Sequence, residues 1–222
     1  MRDFIRYLKA PVENFKLPAR KIWSAILLFF LLYILSIVVS ILGYYLTGDD
    51  IPESKTRKMP AFLPLWFALI VPPLIEELSF RLWLKRNTVT IFISSVCFIW
   101  CIVSMLMVNV IYSTDRLVLR CLIALACGSV FTLLLKKQIT SARFPVMFYL
   151  SAIVFGLIHL VNYQGAYSLT ATIVLVVTLL INHSLSGLFY GYVRIGFGFF
   201  ASVLFHIANN FLPVLYMYLK SS

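Results

Sequence analysis

Long uninterrupted runs of apolar residues dominate the chain, and polar residues are confined to short segments between them. Seven runs are long enough to cross a bilayer core of about 30 Å, which needs roughly 20 helical residues. These runs are Ile22–Leu46, Ala61–Leu84, Val89–Tyr112, Leu117–Leu135, Pro145–Tyr163, Ser168–Val193 and Gly196–Leu219. The pattern predicts an all-α fold, a polytopic transmembrane bundle of seven to eight helices. The eighth helix would arise if Gly187 and Gly191 break the sixth run or Pro213 breaks the seventh.

Composition excludes a water-soluble domain. The chain is 62% apolar and 12% charged, whereas soluble domains are about 45–50% apolar and about 25% charged. So few charges cannot cover a water-facing surface, so the apolar residues must face lipid. The formal net charge of +11 gives no further indication of nucleic-acid binding, and membrane topology with attraction to anionic lipid accounts for it.

The distribution of Lys and Arg predicts the orientation. If the N-terminus is cytoplasmic, twelve of these cations flank the cytoplasmic ends of the seven runs and five flank the opposite ends. This bias agrees with the positive-inside rule. Residues 1–21 are then a cytoplasmic segment, in which apolar residues among basic ones favour a short helix lying at the membrane interface. Residues 22–222 form a single transmembrane domain.

Two of the eight acidic residues, Glu76 and Glu77, lie inside an apolar run. Ionisable groups within a membrane are costly and usually functional. Glu77 and Arg81 are four residues apart and can pair on one helix face. Glu76 is rotated from Glu77 by about 100° and points elsewhere. The spacing therefore predicts a structural Glu77–Arg81 pair and leaves Glu76 free for chemistry.

All three histidines also lie within or at the end of apolar runs. Phe155 and His159 are four residues apart, as are His206 and Asn210, so each pair shares a helix face. His183 has no matching partner of this kind, and we interpret it as structural.

Depth in the membrane is compatible with a shared site. At about 1.5 Å per residue, Glu76 lies about 15 Å from its cytoplasmic helix end, His206 about 16 Å and His159 about 22 Å. They would converge near the bilayer centre if their helices are neighbours. Each residue also has an ordinary explanation, as a helix-locking pair or as a hydrogen-bond partner between helices. The prediction of a functional site therefore depends on the occurrence of all these residues together and not on any one of them.

Three motifs in order carry a resemblance to a known family. They are Glu76-Glu77-x-x-x-Arg81, Phe155-x-x-x-His159 and His206-x-x-x-Asn210. They resemble the motifs of the CAAX prenyl protease and bacteriocin-processing (CPBP, or Abi) family of intramembrane endopeptidases. The resemblance covers roughly Ala61 to Phe211. Each motif alone is weakly specific, but three in order on separate apolar runs are much more so.

The resemblance implies hydrolysis of a peptide bond within the membrane. Glu76 would be the base that activates water, and His159 would help to hold that water. His206 and Asn210 would bind the oxyanion, Asn210 through its side-chain N–H. These are the groups that peptide hydrolysis requires, namely a base and oxyanion donors.

The same resemblance assigns Glu77 and Arg81 to orienting the first motif. It also leaves a metal-dependent mechanism open, because Glu76, His159 and His206 could bind a divalent metal such as zinc, which activates water. The zinc-protease motif H-E-x-x-H is absent from the sequence, and the residues favour metal-free catalysis by Glu76.

The implied substrate is a membrane-associated or lipidated peptide or protein. Eukaryotic members of the family remove the last three residues of prenylated proteins, whereas a compact chain of this length is more similar to the bacterial members. The resemblance thus implies a bacterial cytoplasmic membrane, with substrate and lipid bilayer as partners and no nucleic acid.

Three other functions stay open. One is a catalytically silent bacteriocin-immunity or scaffold protein that keeps the fold. Another is a membrane protein that binds a cofactor such as haem between His159 and His206, although this leaves the carboxylates unexplained. The third is a small transporter that uses the buried carboxylates for proton coupling.

Overall fold

The part of the chain that the structure describes is all-helical apart from one short strand pair. The computed structural model describes residues 1–47, 53–54, 64–108, 114–164 and 168–221. The α-helices are α1 (Arg2–Lys9), α2 (Ile22–Thr47), α3 (Leu65–Phe80), α4 (Thr88–Val108), α5 (Leu117–Ser141), α6 (Phe144–Ile158), α7 (Leu169–Gly196) and α8 (Phe199–Ser221). Short 3₁₀ segments cover Ala19–Lys21, Leu82–Lys85 and His159–Asn162. Strands β1 (Glu53–Ser54) and β2 (Tyr163–Gln164) pair antiparallel, with Glu53 opposite Gln164.

Six helices of the described part are long and apolar enough to cross a membrane. They are α2, α4, α5, α6, α7 and α8, with α2 and α6 extended by their adjoining 3₁₀ turns. By length and composition the chain is therefore a multi-pass membrane protein.

The second predicted run is shorter as a helix than the sequence suggested. Helix α3 has 16 residues, about 24 Å at the α-helical rise, which is less than a full bilayer core. It ends at Phe80 with Arg81 as its C-cap, and a 3₁₀ turn then leads to Arg86, which has φ 57°. Residues 61–63 of the predicted run lie outside the described residues, as do 109–112 of the third run. Six helices of the described part have the length and composition of a span, so the predicted count of seven to eight is not confirmed, and α3 is a further, shorter helix.

Neither predicted break occurs. Helix α7 runs unbroken through Gly187 and Gly191, and α8 runs unbroken through Pro213. The two glycines instead allow close packing of α7 on α6. A Cβ at position 187 would lie 3.0 Å from the Cα of Ala152, and one at position 191 would lie 2.7 Å from the ring of Phe148. Small residues at helix interfaces are a usual means of close approach in membranes.

Helix α3 lies among other helices. It packs against α4, α6 and α8, while α7 packs against α2, α6 and α8. This arrangement brings α3, α6 and α8, which carry the three motifs, next to one another. It satisfies the condition for convergence that the depth comparison left open.

The N-terminal segment packs on the protein. The predicted short helix is present as α1, but its apolar residues Phe4 and Tyr7 are buried in the core cluster. Their rings lie 5.2 Å and 5.5 Å from that of Tyr192 on α7. A salt bridge of 2.9 Å joins Asp3 to Lys21, and the hydrogen bond from Lys21 lowers the pKa of Asp3. Phe4 and Tyr7 are therefore covered by protein, whereas Ile5 of the same helix stays exposed.

Candidate functional site

Glu77 and Arg81 form a fully buried ion pair. Both side chains have 0% exposure, and Arg81 Nη1 lies 3.7 Å from Glu77 Oε1. The predicted pairing of the two residues is therefore confirmed. Ser202 donates a hydrogen bond of 2.5 Å to Glu77 Oε2, and His206 Nδ1 lies 3.0 Å from Glu77 Oε1. Glu77 thus fastens α3 to α8 through both of its oxygens.

Aromatic rings surround the Arg81 guanidinium. Its Cζ lies 3.8 Å from the centroid of Phe155, 5.7 Å from Phe80 and 5.5 Å from Tyr190. All three distances fall within the range of a cation–π interaction, which is strongest where the cation is desolvated. Phe155 of the second motif thus supports Arg81 of the first, a role that the spacing of the motifs could not show.

Glu76 faces two histidines, one of which, His206, contacts Glu77 through its other ring nitrogen. Its Oε2 lies 3.4 Å from His206 Nε2 and 3.9 Å from His159 Nε2. Its side chain is 22% exposed, compared with 15% for His159 and 3% for His206. Oε2 itself is buried and has no hydrogen-bond partner among the described residues. The structure therefore brings together the three residues for which convergence was predicted.

The ring of His159 is held by its own helix. Its Nδ1 lies 2.7 Å from the carbonyl oxygen of Phe155, one turn earlier. A carbonyl only accepts hydrogen bonds, so Nδ1 carries the proton. In the neutral ring Nε2 is then an acceptor, and it faces Glu76.

Three residues that sequence reasoning did not place in the site lie beside it. His183, which was interpreted as structural because it has no partner at the four-residue spacing, stacks on His159 with ring centroids 3.9 Å apart and an interplanar angle of 16°. Tyr190 stacks on His206 at 4.5 Å. Ser202 is four residues before His206, and this shared face was the one signal in the sequence that could have revealed it.

Asn210 is the predicted site residue that the structure does not bring to Glu76. It is half-buried on α8 and lies one turn beyond His206, about 6 Å further along the axis. Its Oδ1 accepts a hydrogen bond of 3.4 Å from Asn209. A role in oxyanion binding stays a prediction.

The charges of the cluster do not balance when both glutamates are ionised, because Arg81 supplies one positive charge against two negative ones. An uncompensated charge is costly in a buried site, so we expect the cluster to hold one further proton. His206 lies between the two carboxylates, with Nε2 3.4 Å from Glu76 Oε2 and Nδ1 3.0 Å from Glu77 Oε1.

Neither a metal nor a haem fits these side chains as they lie. Within the described ranges, no group of three His, Cys, Asp or Glu residues is arranged to hold a metal ion. A haem iron would need to lie between His159 and His206, yet their Nε2 atoms both face the same oxygen of Glu76.

Comparison of the chain with models of protein families, with curated proteins and with solved structures finds no match.

Proposed function

We propose that the chain is an intramembrane endopeptidase of the CPBP type, which hydrolyses a peptide bond of a membrane-associated or lipidated substrate. The observation that supports this most is the different use of two adjacent carboxylates. Glu77 is engaged by Arg81, Ser202 and His206, whereas Glu76 Oε2 lies free of hydrogen bonds within the described structure and faces two histidine nitrogens. A general base needs such a carboxylate within reach of water.

The hydrolysis begins with His206 carrying a proton on both ring nitrogens, which balances the charges of Glu76, Glu77 and Arg81. Glu76 is then a carboxylate and takes a proton from a water molecule that also donates to His159 Nε2. The water oxygen bonds to the substrate carbonyl carbon, and the carbonyl electron pair moves to oxygen. His206 Nε2–H, and Asn210 after a side-chain movement, stabilise this oxyanion.

Collapse of the tetrahedral intermediate breaks the C–N bond. Glu76 returns its proton to the leaving amine, so it acts first as base and then as acid. Glu77 and Arg81 take no part in proton transfer. They fix the direction of α3, and Glu77 keeps His206 Nδ1–H in place.

The finer topology belongs to the same proposal. We infer that α3 lies in the membrane as a seventh, partial span, with the N-terminus in the cytoplasm of a bacterial cell. The bias of Lys and Arg toward one end of the helices supports this orientation. The described donors support metal-free catalysis, because they do not form a three-ligand group.

A catalytically silent immunity or scaffold protein is the main alternative. It explains the buried Glu77–Arg81 pair, which stabilises helix packing in either case. It gives no reason for a second carboxylate directed at two histidines. The bis-histidine cofactor site is not favoured by the geometry described above.

The proposal is tested by comparing new peptide termini in host cells at matched membrane levels. One culture expresses the wild-type chain and another Glu76→Gln, which keeps the shape of the side chain but cannot act as a base. We expect termini that occur only with the wild type and that identify the substrate. The matched control is Glu13→Gln, a carboxylate at the surface paired with Arg86, which should give the wild-type set. Identical termini with Glu76→Gln would contradict the assignment of the base.

A further inference from the structure

A cavity with several charged residues in its lining lies at the end of the bundle where the N-terminal segment packs. It has a volume of about 660 Å³ and is lined by the segment around Lys16, by the 3₁₀ turn after α3 and by the junction of α7 and α8. The backbone N–H of Leu17 donates a hydrogen bond of 2.9 Å to the carbonyl oxygen of Gly196. This bond joins the N-terminal segment to the end of α7. The size is that of ordinary small-ligand sites.

The charges of this cavity are predominantly positive. Its lining contains Lys16, Lys85 and Arg194 and one carboxylate, Glu13. Glu13 is itself paired with Arg86 at 3.4 Å. Three cations therefore remain for an anion, and they come from three separate segments of the chain that the fold brings together.

Arg194 is held in place by its surroundings. Its Cζ lies 5.5 Å from the ring centroid of Phe199, within cation–π range. Its Nε is buried and has no hydrogen-bond partner among the described residues. Next to it, Gly198 has φ +105°, and a Cβ at this position would meet no atom within 4 Å. The backbone at Gly198, which also lines the cavity, is thus open on the side where a side chain would lie.

The position of the cavity indicates the source of the anion. It lies where α7 ends and α8 begins, and both helices are membrane spans. Helix ends of this kind lie at the level of the lipid headgroups, and basic pockets between such ends bind anionic headgroups. From these observations we propose that the cavity binds a phosphate group, supplied by an anionic phospholipid. The site does not depend on the proposed peptidase activity.

The test measures binding to the purified full-length chain. The probes are dioleoylphosphatidylglycerol, the zwitterionic dioleoylphosphatidylcholine and inorganic phosphate, each titrated while retained lipid is counted by native mass spectrometry and the Tm is recorded. The main variant is Lys16→Gln/Lys85→Gln, in which both changed side chains are exposed. The control is Lys136→Gln/Lys137→Gln, with two exposed lysines near the end of α5 that do not line the cavity.

We expect one phosphatidylglycerol bound per chain and about 30-fold weaker binding by the Lys16/Lys85 variant, since each cation near a membrane surface contributes about fivefold. The Lys136/Lys137 control should bind as the wild type does. Equal binding by both variants would overturn the site. Inorganic phosphate that competes fully at low millimolar concentration would keep the phosphate chemistry but overturn the lipid source. Equal affinity for phosphatidylcholine would overturn anion recognition.

Discussion

The buried ion pair of Glu77 and Arg81 should be the most sensitive structural element of the site. Neither side chain is exposed, so removal of either partner leaves a charge in a medium that cannot solvate it. Such single removals typically cost about 3–5 kcal/mol. For Arg81→Met we expect the lower end, about 3 kcal/mol, because Glu77 keeps its hydrogen bonds to Ser202 and His206. The destabilisation should not be smaller than this, because Arg81→Met also removes the cation–π contact with the Phe155 ring at 3.8 Å.

The decisive measurement is a double-mutant cycle. The variants are Arg81→Met, Glu77→Gln and the two together, and the double variant removes both charges. It should cost less than the sum of the single variants by about 2 kcal/mol, because contacting charges couple by roughly 0.5–3 kcal/mol. The Tm in detergent should fall by about 6–12 °C for each single variant, at about 2–4 °C per kcal/mol for a chain of this size. Folded yield after size-exclusion chromatography should follow the same order.

An exposed pair of the same chain supplies the control. Lys21 and Asp3 are closer, at 2.9 Å, but their side chains are 42% and 33% exposed. The corresponding cycle, Lys21→Met with Asp3→Asn, should show coupling of about 1 kcal/mol or less. Two outcomes would contradict a structural role of this buried pair. One is that the effects of the Glu77 and Arg81 variants add within about 0.5 kcal/mol, and the other is that Arg81→Met has the wild-type Tm. In either case the assignment of Glu77 to structure and of Glu76 to chemistry fails.

Two further predictions concern the stacked histidine and the contact between α4 and α5. Under the proposed activity, His183→Phe should preserve the cleavage rate, whereas His183→Ala should lower it by about 2–10-fold, because the aromatic stack that orients His159 contributes about 0.5–1.5 kcal/mol. Equal loss in both variants would mean that the His183 nitrogens matter and not the stack. Gly128→Ala should lower the Tm, because the new Cβ would lie 2.9 Å from the backbone Cα of Val96, so α4 and α5 must separate. Gly43→Ala is the control, since its Cβ would meet only side-chain atoms that can rotate; an equal drop in Tm would contradict the packing argument.

Much of the site follows from helix geometry acting on very few polar residues. The chain has eight acidic residues and three histidines, so those inside apolar runs are few and conspicuous. A four-residue spacing predicted the pair of Glu77 and Arg81, and a rotation of about 100° per residue predicted that Glu76 faces elsewhere. These are properties of a single helix, so the sequence contains them.

Properties that depend on two or more helices could not be predicted in the same way. His183 lies on α7 and His159 at the end of α6, and their stacking depends on how close these helices approach. From the sequence, the glycines of α7 indicated a possible break in the helix. In the fold, the helix continues through them and they allow close contact with α6. Asn210 shares a helix face with His206, but a shared face does not determine how far its side chain reaches.

The length of α3 shows how buried polar residues change a prediction based on hydropathy. The apolar run continues past Arg81 to Leu84, so a hydropathy average extends the helix over all of it. In the fold, Arg81 turns inward to Glu77 and the α-helix ends there. A helix that need not cross the whole bilayer by itself can be placed by its contacts with α4, α6 and α8. The charged residues of α3 thus do two things at once, because the pair that fixes its position among its neighbours also directs the adjacent Glu76 toward the histidines.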